Sequence, residues 1–261
     1  MLRQNDPEWA RLGSYWRPAT LEAALRILGE ESPRLLAGGT DVYPALAQAA
    51  AWGAAEAPAL LDLTGVAALR GVTRAGGMWR IGALTPWAVL RDAPPAPGFR
   101  ALAEAAAQVG GRQIQARGTI GGNLCNASPA ADGVPPLLIL DASVELASPR
   151  GRRVLPLRGF LLGNRRTARA PDEILTAILV PEAEAEAPSV FLKLGARAHL
   201  VISIAMVAAS ANGRVAVGAC SEVARLWEEG VAPIGDVRAS AAYRRAAAEE
   251  LVARARARLA A

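Results

Sequence analysis

The chain has 261 residues, 52% of them hydrophobic, enough to bury one large core or two or three small ones without a metal or disulfide staple. Its two cysteines, Cys125 and Cys220, lie far apart outside any CxxC spacing and read as free thiols, which excludes an iron–sulfur cluster or structural zinc held by this chain alone. The formal charge of +5 is carried by arginines dispersed among acids, with only 5% aromatic residues, and argues against a nucleic-acid surface.

No apolar run approaches the ~20 residues of a bilayer span. Arg3, Asp6, Glu8 and Arg11 stand where a secretory leader would be apolar, so a cytoplasmic protein is expected. Residues 14–20 read as a short strand and a turn. Thr20 then caps a helix over residues 21–29, with Leu21, Ala24, Leu25 and Leu28 on one face and Gly29 ending it. Residues 33–37 read as a buried strand running into Gly38-Gly39-Thr40-Asp41 and a second helix through about Gln48. Strand, glycine turn, helix is the grammar of a phosphate site, although this one is neither GxGxxG nor a Walker loop, which needs a lysine after its glycines. The plain alternative is a helix-entry turn capped by Thr40 or Asp41.

Residues 60–63 form the next expected strand, and residues 69–74 and 76–82 a hairpin around a glycine turn. Thr85 reads as the cap of a helix with Pro86 at its first position, and a further helix over 99–108 ends at Gly110-Gly111. Residues 117–132, Arg-Gly-Thr-Ile-Gly-Gly-Asn-Leu-Cys-Asn-Ala-Ser-Pro-Ala-Ala-Asp, then read as a recognition loop. Gly118, Gly121 and Gly122 can take positive φ and bring main-chain amides close to a ligand, with Thr119, Asn123 and Asn126 beside them. No lysine lies between Thr119 and Asp132, so a phosphate there would be met by main-chain dipoles, while Asp132 could accept from sugar hydroxyls. A nucleotide-like cofactor is the hypothesis; an ordinary Gly/Asn/Ser-rich surface turn is the alternative.

Beyond it, residues 137–140 are apolar, residues 143–148 and 152–155 form a hairpin, and 159–167 a polar connection. Residues 174–180 read as a strand closed by Pro181 and an acidic loop, and a domain change is placed near Ala170. Further strands over 190–194 and 215–220 flank an apolar segment over 200–210; beside it His199, the single histidine, is expected to be partly buried and no catalytic base. The chain ends in a helix over 239–260, where Arg244, Arg245, Arg254, Arg256 and Arg258 read as a solvated face with i,i+4 pairs Arg245/Glu249 and Glu250/Arg254. The pattern is α+β.

Two glycine turns about eighty residues apart, Leu-Leu-Ala-Gly-Gly-Thr-Asp-Val at 35–42 and Thr-Ile-Gly-Gly-Asn at 119–123 with Ser-Pro-Ala-Ala-Asp at 128–132, match in order and spacing those of a known family. Residues 15–25, 81–85, 160–167, 173–175 and 191–197 fit the same pattern. The chain resembles the FAD-binding subunit of the molybdenum hydroxylases, the group of xanthine dehydrogenase and aerobic carbon monoxide dehydrogenase. The resemblance implies a p-cresol methylhydroxylase-type FAD-binding domain over 1–170, in two α+β subdomains of about 1–58 and 59–170, followed by a smaller α+β domain over 171–261.

By the same resemblance, Leu35, Leu36, Ala37, Gly38, Gly39, Thr40, Asp41 and Val42 form the first loop against the FAD pyrophosphate, and Thr119, Ile120, Gly121, Gly122 and Asn123 the second. Val109 falls where some members place an aromatic residue near the isoalloxazine; Asp132 matches the acidic residue on the adenosine part, Leu175 a backbone contact, and Lys193 a residue near the flavin. No catalytic residue or metal ligand is assigned to this chain. Implied partners are a [2Fe-2S] iron–sulfur subunit, a molybdopterin-binding large subunit, and NAD+ or another electron acceptor. A self-contained flavin oxidase or reductase on the same fold is the rival within enzymology, and a basic nucleic-acid-binding module the rival from another class.

Overall fold

A computed structural model describes residues 13–53 and 57–261 of the protein; the expectation resting on Arg3, Asp6, Glu8 and Arg11 lies outside them. The chain builds a small parallel sheet, a central antiparallel sheet and a C-terminal antiparallel sheet, each covered by helices, an α+β architecture.

In the first sheet Leu60–Asp62 is flanked by Tyr15–Trp16 and Arg34–Leu36, both parallel to it. The helix Leu21–Glu31 starts where Thr20 Oγ1 accepts from the Ala23 amide, and buries Leu21, Ala24 and Leu28. It runs through Gly29 rather than ending there. The stop is Ser32, at φ 47°, whose N–H bonds to the Leu28 carbonyl ahead of Pro33. An isolated glycine costs a helix only about 1 kcal/mol, too little to terminate one that is packed. Thr85 likewise caps nothing: its hydroxyl donates to the Gly71 carbonyl, and Pro86 precedes the helix Trp87–Asp92.

The central sheet has the order Val72–Ala75, Met78–Gly82, Ile174–Pro181, Ser143–Ser148, Gly151–Pro156, with every neighbour antiparallel. Its middle strand, Ile174–Pro181, is buried along most of its length, which is why it reads as an unbroken apolar run. The strand Ile174–Pro181 thus runs in the sheet of the preceding segment. The passage to the next sheet falls between Pro181 and Ser189, later than the compositional change near Ala170.

The C-terminal sheet orders Ser189–Leu194, Ala205–Ser210, Val215–Gly218 and Arg225–Leu226. The helix Ala241–Ala260 packs Ala248, Val252 and Ala255 against it. Here the solvated-face expectation fails for one residue. Arg244 is fully buried, its guanidinium donating to the carbonyls of Ile204 and Ala219 and to Asp236. Donors from Arg238 first, and from Arg244, hold the Asp236 carboxyl well below the usual carboxylate range. No helix among the described residues is long and apolar enough to cross a membrane.

Candidate functional site

The strand Arg34–Leu36 delivers the first glycine turn, in which Gly39 takes φ 77°, and the helix Val42–Ala51 leaves from it. The second turn differs from expectation. Ile120–Asn126 is a helix, begun by Thr119, whose Oγ1 accepts from the Gly122 amide at 3.1 Å. Ile120, Gly121 and Leu124 are buried in it, and seven residues holding two glycines and two asparagines show no periodicity that would have marked them as helical.

None of Gly118, Gly121 and Gly122 takes positive φ; the left-handed position is Ala127, at φ 46°. Glycine is required at this site chiefly for close approach. A Cβ on Gly38 would overlap the Arg117 carbonyl oxygen, and one on Gly121 would fall 2.7 Å from the Ala83 carbonyl oxygen. So the first turn lies on the second, and the second on the residues following Gly82. Asn126 Nδ2 adds a hydrogen bond across the two turns to Asp41 Oδ1 at 2.9 Å, while Asn126 Oδ1 accepts from Arg165.

Between these turns opens a cleft of about 900 Å³. Leu35, Leu36, Ala37, Gly38, Gly39, Thr40, Asp41 and Val42 all line it, as do Val109, Thr119, Gly121, Gly122, Asn123, Asp132 and Leu175. Ile120 and Lys193 do not. Ile120 is buried beneath the turn, and Lys193 stands behind Asp132. Unforeseen lining comes from Trp87, Ile114 and Arg169, and from Leu200, Val201 and Ile202. Of these, Leu200, Val201 and Ile202 sit in an apolar run without a turn or ligand signal, whereas Trp87 follows Thr85-Pro86 and Ile114 follows Gly110-Gly111. His199, expected to be partly buried, is exposed. Cys125 and Cys220 are free; Cys125 is exposed on the cleft and Cys220 is buried.

The first turn offers a run of main-chain dipoles to the cleft. Among the described residues, the amides of Gly38, Gly39, Thr40 and Asp41 donate to no protein acceptor. In the second turn four are taken: Ile120 donates to Thr85 O, Gly121 to Ala83 O, Gly122 to Thr119 Oγ1 and Asn123 to Thr119 O. Arg34, Arg165 and Arg169 add guanidinium groups to the walls, Arg169 donating to the carbonyls of Ala170, Pro171 and Glu173.

Asp132 is not simply open to a sugar. Its Oδ2 accepts from Lys193 Nζ at 2.7 Å and its Oδ1 from Ser203 Oγ at 2.7 Å, and Lys193 Nζ also reaches the Gln108 carbonyl at 3.3 Å. Burial pushes the Asp132 carboxyl up from its ordinary value, opposed by the Lys193 ammonium and the Ser203 hydroxyl.

This donor set fits FAD. Free amides in a glycine turn and nearby guanidinium groups suit a pyrophosphate. Asn123 Oδ1, buried on the cleft without a partner among the described residues, is an acceptor open to a hydroxyl or N–H. Beyond the turns, Leu35, Leu63, Leu84, Leu175, Val109 and Ile114 offer apolar wall to flat rings.

Comparison with known proteins agrees with the geometry. Residues 10–183 match the family model described as the FAD binding domain in molybdopterin dehydrogenase. The xanthine dehydrogenase FAD-binding subunit of Escherichia coli O157:H7 is 39% identical over 171 residues, covering 64% of this chain and 57% of that protein. The carbon monoxide dehydrogenase medium chain of Hydrogenophaga pseudoflava is 32% identical over 173 residues, covering 64% and 58%. The match thus spans less than two thirds of the length of these curated relatives. In three dimensions, a chain of the solved carbon monoxide dehydrogenase of Hydrogenophaga pseudoflava is similar over 94% of this chain and 96% of its own, with a TM-score of 0.83 and 27% identity.

Proposed function

Because the chain belongs to the FAD-binding family of the molybdopterin dehydrogenases, we propose that it is the flavin relay of a multi-subunit hydroxylase. It takes electrons from a [2Fe-2S] subunit, which is served in turn by a molybdopterin-binding large subunit, and passes them to NAD+ or another acceptor. The observation that carries this reading is the contact of two remote glycine turns around one cleft, with unpaired amides on the first.

FAD supplies the redox chemistry when bound, and the chain's task is to hold, orient and shield it. The Gly38, Gly39, Thr40 and Asp41 amides receive the pyrophosphate, and Gly122 leaves room beside it, since a Cβ there would meet only Thr119 Oγ1 and Ala37 Cβ within 4 Å. Leu35, Val109 and Leu175 flank the rings, and Asn123 Oδ1 accepts from the cofactor. Ile120 and Lys193 support this wall from behind. Two separated cysteines are too few to ligate an iron–sulfur cluster within these residues, and the reading assigns the electron donor to a [2Fe-2S] partner subunit.

The test is purification of the full chain with added FAD. Expected are stoichiometric flavin, bleaching by dithionite, release of free FAD on denaturation, and no hydroxylation of purines or other heterocycles. Absence of flavin binding would overturn the reading. Flavin remaining attached to the denatured chain, or substrate turnover by this chain alone, would favour the self-contained oxidase instead.

A further inference from the structure

The connection between the strands Ser189–Leu194 and Ala205–Ser210 is much longer than the two to five residues of an ordinary hairpin, so its shape is not dictated by the turn. Residues 195–203 fold back on themselves instead. Arg197 Nε donates to the Leu200 carbonyl at 3.1 Å, and Leu200 takes φ 53°, a left-handed conformation that a non-glycine residue holds only under restraint. Val201 packs against Gly195 so closely that a Cβ on Gly195 would overlap its methyl group. The result presents Leu200, Val201 and Ile202 to the cleft, with Leu200 still 57% and Ile202 61% exposed.

Little holds this wall in place. Among the described residues, the only hydrogen bond from residues 195–203 to another segment of the protein is Ser203 Oγ to Asp132 Oδ1, at 2.7 Å. Ser203 is fully buried, as is nearly all of the Asp132 side chain. The other Asp132 oxygen is engaged by Lys193, the only lysine in the chain, which also reaches Gln108 O, just past the helix Arg100–Ala106. A hydrogen bond to an ionised acceptor is about twice as strong as one between neutral groups. Burial opposes the charged form of Asp132, and the Lys193 ammonium favours it.

We infer that Ser203, Asp132 and Lys193 are positioning residues: their linkage anchors the 195–203 connection as one wall of the cleft, and cofactor affinity depends on that anchor. The wall's aliphatic side chains cover apolar surface of the cofactor. The anchor itself stands on hydrogen bonds alone, whereas its effect on cofactor affinity rests on the FAD reading proposed above.

The test uses the full chain and two readouts. Arg197 is the only Lys or Arg between Lys193 and Arg214, so trypsin cleavage after it reports release of the connection. Ser203→Ala should speed that cleavage about tenfold and weaken FAD about tenfold by titration calorimetry. Ser203→Thr, which keeps the hydroxyl, should stay within about twofold on both. Lys193→Met with Asp132→Asn, which removes both charges together, should resemble Ser203→Ala if it folds; Ser203→Ala decides if it does not. Equal cleavage rates in wild type and Ser203→Ala overturn the anchor. Faster cleavage with unchanged FAD affinity overturns its bearing on the cofactor. Failure of the wild-type chain to bind FAD overturns the cofactor reading, and the cleavage rates still decide the anchor.

Discussion

Gly38 and Arg117 touch backbone to backbone: a Cβ on Gly38 would overlap the Arg117 carbonyl oxygen and fall 2.7 Å from the carbonyl carbon. Seventy-nine positions separate them along the chain, and their contact brings the two glycine turns to one cleft. Gly38→Ala is expected to force the turns apart, costing about 1–3 kcal/mol as an overpacking change. Urea unfolding should show the lower midpoint and FAD titration a large loss of affinity. An unshifted midpoint would mean the backbones are not in contact.

Gly122 makes a contrast, because a Cβ there would meet side chains rather than backbone, Thr119 Oγ1 at 2.9 Å and Ala37 Cβ at 3.9 Å. Gly122→Val should disturb the Thr119 cap, a cost of about 1 kcal/mol. Its side chain should exclude the pyrophosphate. A nearly wild-type melting temperature without FAD, combined with loss of yellow colour after gel filtration, is the expected pair of results. Retained flavin would move the cofactor away from this turn.

Arg244 and Arg245 are adjacent, yet opposite in environment: the first is fully buried and the second exposed. Arg244→Met would leave the Ile204 and Ala219 carbonyls without this donor and strip Asp236 of one of its guanidinium partners. A loss of about 1–3 kcal/mol for each carbonyl left unsatisfied follows, since Asp236 is exposed and keeps Arg238. Arg245→Ala should stay within about 0.5 kcal/mol. Parallel denaturant titrations of the two variants check the difference.

Acid sensitivity should run through Glu173. Arg153 donates to both of its carboxylate oxygens, at 2.6 and 2.8 Å, and the Ala170 amide to one of them at 2.7 Å, holding its carboxyl below the ordinary glutamate value. The unfolded chain therefore binds more protons than the folded one in that range. The stabilisation is complete above the unfolded pKa, about 4.3 for glutamate. It is lost as pH falls through the lowered folded value. Glu173→Gln should be less stable than wild type at pH 7, and the gap should narrow as the pH is taken below 4, read as urea midpoints at each pH.

Local chemistry was legible where a few neighbouring residues decide the outcome. Thr20 begins its helix, the hairpins fall between their apolar runs, and both glycine turns with their order and spacing could be read from the chain, together with the family they resemble. Of the cleft, the residues of those turns and, by resemblance, Val109 and Leu175 were named from the sequence, whereas Trp87, Ile114, Arg169 and Leu200–Ile202 were not. Leu200–Ile202 arrive through a long connection whose path depends on one hydrogen bond to Asp132, seventy-one positions away.

By itself, then, the sequence determined most local elements and the two turns, because hydrogen-bonding caps, glycine composition and apolar periodicity act over a few residues, and the family it resembles supplied the cofactor. Tertiary structure alone decided that Ile174–Pro181 lies between Met78–Gly82 and Ser143–Ser148, that Arg244 is interior, and that Asp132 faces Lys193 and Ser203. Each of these is a pairing between segments distant in the chain. Only the packing of whole sheets and helices selects among the partners that such residues could have.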